Sequence, residues 1–186
     1  MIFFNRLHKL RAGRRAWACW LLSACLLAPL SSAAAGRDDL NLRTLDGKPL
    51  NLAQRTGHGR WLLVMFWALE CAVCEANRPD IDTFYRRHRG RDAEVLGVNI
   101  DGWARRDEVA ARLRHQPTSY PNVLVDLGEL AERFTDLAGE PFRGMPTFLL
   151  YAPDGKLKAV NPGRVRLKAL EAYLARYADQ YKEMLR

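Results

Sequence analysis

The sequence predicts an α/β fold, a central mixed β-sheet flanked by helices. Three observations carry that reading. Trp61 to Trp67 is an unbroken run of seven apolar residues, the pattern of a strand buried on both faces of a sheet. Strand-like and helix-like stretches alternate after it. The chain then closes on a turn-linked strand pair and a long amphipathic segment, an order that suits a mixed sheet covered by helices.

The elements follow in order. Leu40-Asn41-Leu42 alternates as a short strand, Asp46-Gly47 is a hairpin turn signal, and Pro49 to Leu52 returns as a second strand. Gly57-His58-Gly59 is loop. After the apolar run, Cys71 to Arg89 reads as a helix with Ala72, Ala76, Ile81, Phe84 and Tyr85 as core positions, kinked at Pro79. Val95 to Ile100 is a second buried strand. Arg105 to His115 is helical, with Val109 and Leu113 on one face. Pro121 to Asp126 is a further strand and Gly128 to Phe134 a short helix, a strand-helix segment inserted before the last hairpin. Thr147 to Tyr151 turns at Pro153-Asp154-Gly155 into an antiparallel partner at Lys156 to Val160. The last helix spans Val165 to Met184, with Leu167, Leu170, Tyr173, Leu174, Tyr177 and Tyr181 at helical spacing.

The N-terminus reads as an export signal. Arg6, Lys9, Arg11, Arg14 and Arg15 precede an apolar stretch from Ala16 to Leu30, and Ser31 to Ala35 supplies a small-residue cleavage site. The division is therefore residues 1–35 as leader and residues 36–186 as one domain. Three other readings of the leader stand: an uncleaved membrane anchor through residues 16–36, a lipoprotein lipidated at Cys25, and a twin-arginine signal. All of them place the domain outside the cytoplasm, in a bacterium on the periplasmic side. Charge agrees with a detachable leader. The whole chain carries +8, but without those five residues 24 basic side chains face 21 acidic ones. A net of +3, scattered among acids, argues against a nucleic-acid partner. The basic cluster Arg86 to Arg91 reads as the solvated end of a helix, where cations suit the dipole.

Cys19 and Cys25 lie in the leader, so the domain keeps only Cys71 and Cys74. The pair follows a buried strand and opens a helix. Unpaired amides at a helix start stabilise a thiolate at the first cysteine. The second, one turn on, can attack a mixed disulfide and release the partner. Half of a zinc site is an alternative, but a structural zinc needs four ligands. Only His58, His88 and His115 remain, without paired spacing. A permanent structural disulfide would close little chain entropy. Copper(I) carriage by the same two soft thiols is a further alternative.

The segment Val64-Met65-Phe66-Trp67-Ala68-Leu69-Glu70-Cys71-Ala72-Val73-Cys74 with Pro79, joined to Gly144-Met145-Pro146-Thr147-Phe148, resembles the thioredoxin superfamily. The leader, the Leu-Asp-Gly-Lys hairpin at 45–48 and the inserted strand-helix segment narrow the resemblance to the TlpA/ResA/DsbE-type branch. That resemblance implies a thioredoxin-like fold and a periplasmic thiol–disulfide oxidoreductase. Cys71 is then the attacking thiolate, Cys74 the resolving thiol and Pro146 a cis-proline. Met145, Pro146 and Trp67 are then the substrate-binding residues: Met145 presents its backbone to an extended substrate segment, and Trp67, otherwise an ordinary core aromatic, packs beside the active-site turn. The branch works mostly in the reducing direction, on partners such as apocytochrome c or copper-site proteins. It is recharged by a membrane donor of the DsbD/CcdA type and needs no cofactor beyond the cysteine pair. A disulfide-donating oxidase is the runner-up, against which stands the lack of a basic residue within the Cys-Ala-Val-Cys loop.

Three positions depart from the branch. Glu70 replaces the usual tryptophan before the first cysteine. Met65 stands where thioredoxins carry a buried aspartate, and Asn77 where the branch often has a glutamate. Glu70 and Glu75 are carboxylates in new places. Both suit a solvated helix start. Both are also candidates for tuning the thiols, since a carboxylate beside Cys71 disfavours its thiolate and favours a reductant.

Overall fold

The computed structural model describes residues 40–184, with side chains to residue 178; the leader and its alternative readings lie outside the described residues. Seven strands form one sheet in the order β2-β1-β5-β4-β3-β6-β7. They are β1 Leu42–Thr44, β2 Pro49–Leu50, β3 Trp61–Trp67, β4 Ala93–Asn99, β5 Asn122–Leu124, β6 Thr147–Tyr151 and β7 Leu157–Pro162. β3, β4 and β5 run parallel, while β1, β6 and β7 pair antiparallel to their neighbours. Four helices cover the sheet: α1 Ala72–His88, α2 Arg106–His115, α3 Leu127–Ala138 and α4 Leu167–Met184. Among the described residues no helix is long and apolar enough to cross a membrane.

β3 explains its own composition. Its alternate side chains point to opposite faces, as the period of a strand dictates. Trp61, Leu63, Met65 and Trp67 enter a core with Ile81 and Phe84 of α1, Val109 of α2, and Leu170 and Leu174 of α4. Leu62, Val64 and Phe66 enter a second core with Leu130 and Phe134 of α3. Both faces are covered, so no polar position remains in the strand.

The hairpin predicted at the N-terminus is present: its first strand lies two residues further along, and its second starts at Pro49 as expected but ends at Leu50. Leu42 pairs with Leu50, and Gly47 takes the positive φ of +86° that its turn requires. The hairpin joins the main sheet through antiparallel pairing of Arg43 with Leu124. Thr44 and Lys48 both bond the Asp46 carboxylate, Lys48 Nζ at 2.7 Å.

Three helices differ from the sequence reading. In α1 the buried stripe is Cys74, Asn77, Arg78, Ile81 and Phe84, whereas Ala72 and Ala76, expected in the core, are exposed. Ile81 and Phe84 are buried and Tyr85 packs on the core as expected, but two members of the stripe are polar, so a search for apolar positions misses the first half of the buried face. The helix runs without interruption through Pro79. α3 extends to Ala138, four residues past the expected end. Leu137 and Ala138 still pack on the core, and Gly139, at φ +74°, closes the helix by donating its N–H to the Thr135 carbonyl at 2.8 Å. α4 starts at Leu167, two residues after the expected start; it buries Leu170 and Leu174 and packs Leu167, Tyr173 and Tyr177 against the same core. The side chain of Tyr181 lies outside those described.

One glycine is needed for a close approach. The indole N–H of Trp67 donates to Asn122 Oδ1 at 3.0 Å, which draws Asn122 across the face of β4 at Gly97. A Cβ at Gly97 would stand 2.1 Å from Asn122 Oδ1. Gly97→Ala is therefore expected to lower unfolding stability by about 1–3 kcal/mol in chemical denaturation, the ordinary range for overpacking.

The hairpin turn makes a second expectation, on pH. Lys48, then Thr44, hold the Asp46 carboxyl down from 3.8 to about 2. A depressed folded-state pKa contributes stability above the unfolded value, and that contribution is lost as pH falls toward 2. An NMR titration of Asp46 should give its midpoint near 2, and Lys48→Ala should return it toward 3.8.

Candidate functional site

β3 ends at Trp67, and the chain turns through Ala68, Leu69 and Glu70 into α1. Cys71 is the N-cap of that helix, in an extended conformation. Its Sγ accepts the backbone N–H of Cys74 at 3.1 Å, the place where a capping oxygen would sit. Cys71 and Cys74 form a disulfide, with their Cα atoms 5.2 Å apart. Cys71 is half-buried and Cys74 fully buried. The two sulfurs are thus unequal. One lies at the positive end of the helix within reach of solvent, and the other lies in the core one turn behind.

The strand register brings the proline loop to the same end of the sheet. Phe66 pairs with Thr147, so the residue before Thr147 lies level with the end of β3. The Met145-Pro146 bond is cis. Pro146 is buried and its carbonyl accepts the N–H of Gly163 at 2.7 Å, tying the loop to the segment before α4. Met145 is exposed, as is Val73 inside the cysteine loop. Those two and Leu127 are the large apolar side chains exposed among the described residues.

Trp67, grouped with the partner-facing residues on the strength of the resemblance, is only 3% exposed. Its ring belongs to the core cluster that holds Cys74, and its N–H is taken by Asn122. The correction follows from β3 being covered on both faces: Trp67 backs the cysteine turn and offers no surface to a partner. Glu70 is exposed and bonded to Arg105 Nη2 at 3.2 Å. Glu75 lies between two arginines. Arg78 Nη1 reaches both of its oxygens at 3.0 Å, and Arg112 Nη1 reaches one at 3.0 Å.

The substituted positions have other work. Asn77 is fully buried and pairs with the backbone of Val165 twice, donating to its carbonyl at 2.7 Å and accepting its N–H at 2.8 Å. Met65 is fully buried, and its sulfur receives the Tyr120 hydroxyl at 4.0 Å. Burial holds that phenol protonated, with its pKa well above the usual range.

Sequence reasoning passed over Asp101, Arg105 and Arg78. Asp101 Oδ2 accepts the backbone N–H of Leu69 at 2.8 Å and Asn99 Nδ2 at 2.7 Å, and so fastens the cysteine turn to the end of β4. Arg105 joins Asp101 Oδ1, Glu70 and Glu108. Its hydrogen bond to Glu108 raises its pKa further, so it is a permanent cation. The available signal was position alone: Asp101 and Arg105 lie just after the strand that runs parallel to β3, where loops at the ends of parallel strands converge. Among the described residues no group of three or more His, Cys, Asp or Glu side chains is placed to hold a metal ion.

With this geometry in view, the chain was compared with known proteins. The profile of the AhpC/TSA family matches residues 36–160. The thiol-disulfide oxidoreductase ResA of Oceanobacillus iheyensis is 25% identical over 122 residues, which cover 66% of this chain and 59% of ResA. The chain thus matches less than two thirds of that relative's length. The crystal structure of the pneumococcal exposed lipoprotein thioredoxin Etrx1 from Streptococcus pneumoniae is 25% identical, covers 74% of this chain and 98% of its own, and superposes with a TM-score of 0.59. The crystal structure of StoA from Bacillus subtilis is 19% identical, with coverage of 75% and 98% and a TM-score of 0.56. The fold is thioredoxin-like, and the chain belongs to the AhpC/TSA family.

Proposed function

We propose that the protein is a thiol–disulfide oxidoreductase of exported proteins that acts mainly as a reductant. The observation that carries the reading is the inequality of the two sulfurs. Cys71 Sγ caps a helix and is within reach of solvent, while Cys74 is buried one turn behind it. In the reduced protein the same Cys74 N–H and the helix dipole favour a thiolate at Cys71. That thiolate attacks a substrate disulfide. One substrate sulfur leaves as a thiol and the other is bonded to Cys71. Cys74 then displaces it, and the Cys71–Cys74 disulfide re-forms while the substrate leaves with both sulfurs reduced. The exposed Val73 and Met145 offer apolar contact to an extended polypeptide, which the backbone at Met145 would bind as an added strand.

The export leader and the resemblance support a periplasmic setting, with the domain released or tethered. The same grounds support partners such as apocytochrome c or copper-site proteins, and a membrane donor of the DsbD/CcdA type that returns the electrons. No further cofactor is required, because the cysteine pair carries them.

Two experiments test this reading. Cys74→Ser is expected to accumulate a mixed disulfide with a disulfide-bonded polypeptide on non-reducing gels, and Cys71→Ser to give none. Redox titration should place the pair near or below about −270 mV; a value near about −120 mV would reverse the direction to disulfide donation.

Glu70 bears on that potential through Arg105. With its charge shared by Arg105, Glu70→Gln should lower the Cys71 pKa by less than about half a unit. Arg105→Gln, which leaves Glu70 unpaired beside the cysteine turn, should raise it. Thiolate absorbance against pH reads both variants, and a Cys71 midpoint unmoved in both removes Glu70 from the tuning of the site.

A further inference from the structure

α1 carries a buried cation behind its cysteines. Arg78 is only 8% exposed, and it follows Cys74 by four residues on the buried stripe of the helix. Side chains four apart on a helix are neighbours, with Cβ atoms about 5–6 Å apart. Helical side chains also lean toward their own N-terminus, so Arg78 covers the turn that holds Cys74. Its guanidinium carbon lies 5.9 Å from the centre of the Trp67 ring, and Trp67 and Cys74 share one core cluster. Nη1 also reaches Gln116 Oε1 at 3.2 Å, and Nη2 donates to the Gln116 carbonyl.

The charges around Arg78 do not cancel it. Glu75, on the same helix, faces two guanidiniums, Arg78 and Arg112 of α2, so this trio carries one net positive charge. Asp82, one turn further along α1, is engaged by Arg86 at 2.9 Å and by the backbone N–H of Ser119. Tyr120, before β5, is held protonated and contributes no negative charge. Met65, buried in the same core as Cys74, carries a neutral thioether.

A thiol in the core resists ionisation, because burial disfavours the charged form. Cys74 must nevertheless become a thiolate to resolve a mixed disulfide. A cation fixed one turn away offsets that penalty, and within the low-dielectric interior its field is only weakly screened.

We propose that Arg78 is a positioning residue for the second half of the reaction, holding positive charge behind Cys74 so that this buried thiol ionises. The proposal rests on the functional reading above and extends it to the resolving step. In that step Cys74 gives its proton to solvent and its sulfur bonds to Cys71 Sγ. The bond between Cys71 and the substrate sulfur breaks, and the substrate sulfur leaves as a thiolate that takes a proton from solvent. The cysteine pair is oxidised and the substrate reduced.

The test is the ionisation of Cys74 in the reduced full chain, followed by the Cβ chemical shift of labelled cysteine against pH. Arg78→Gln should raise the Cys74 midpoint by about one unit, which is tenfold less thiolate at any pH well below it. Cys71 should move less than a third as far, and Arg78→Lys should restore most of the difference. Arg112→Gln, on the surface, leaves Glu75 to neutralise Arg78 alone and should raise the Cys74 midpoint in the same direction by a smaller step. It decides the matter if Arg78→Gln does not fold. A Cys74 midpoint unchanged in Arg78→Gln, with only its melting temperature lowered, would make Arg78 a packing residue and overturn the proposal. So would an unchanged midpoint in Arg112→Gln. A wild-type chain that reduces no disulfide substrate would instead overturn the functional reading, and the Cys74 midpoints would still decide the role of Arg78.

Discussion

The burial of β3 on both faces is the constraint on which the remainder of the structure depends. A strand with helices on either side has no freedom to slip or rotate, because a shift of one residue would exchange the contents of two cores. Its last residue therefore delivers the chain to one fixed point, from which α1 must start. α1 is held in turn by Ile81 and Phe84, which lie against the same strand. Cys71 meets the amide of Cys74 because both ends of the connection, strand and helix, are packed in place. Within the turn, Ala68 and Leu69 are buried in the two cores, and Glu70 alone is exposed.

Polar contacts add direction to this packing. Asp101 grips the Leu69 N–H, Asn77 grips both backbone groups of Val165, and Asn122 grips the Trp67 indole. Each joins segments far apart in sequence, and Asn77 and Asn99, which positions Asp101, are fully buried. A buried amide satisfied on both sides is costly to displace, since any movement leaves polar groups unpaired in the core. The site is therefore framed by directional bonds on a scaffold held by non-directional ones.

The two kinds of interaction were unequally legible in the sequence. Non-directional packing writes itself as pattern. The seven apolar residues of β3, the alternation of strands and helices, and the stripe of α4 from Leu167 to Tyr177 all announced their places. Cys71-Ala72-Val73-Cys74 did so through its chemistry, and Gly144-Met145-Pro146-Thr147 through the resemblance alone. Directional contacts leave no such pattern. Nothing in the spacing of Arg78 separates it from the solvent-facing arginines at 86, 87 and 89, and Asn77 reads as an ordinary helical polar residue. For the same reason the buried face of α1 is legible at Ile81 and Phe84 and not in its first half. Its stripe contains an asparagine and an arginine whose burial follows only from where Val165 and Gln116 come to lie. The end of α3 was missed more simply, because Leu137 and Ala138 continue the stripe past the point where Phe134 closes it.

The double bond of Asn77 to Val165 has a consequence for the order in which the site comes into being. The two residues are 88 apart, so the partner of Asn77 is made long after it. As the chain is synthesised from its N-terminus, the cysteines and the helix that bears them exist for most of that time without the segment that secures their far side. During that interval Cys71 and Cys74 are ordinary thiols on an unfinished surface. The core that encloses Cys74 includes Leu170 and Leu174, with Val165 packed against it, so that enclosure is complete only in the finished chain. A chain cut short before Val165 would keep both cysteines and the helix cap, but not the part of the Cys74 enclosure that α4 supplies.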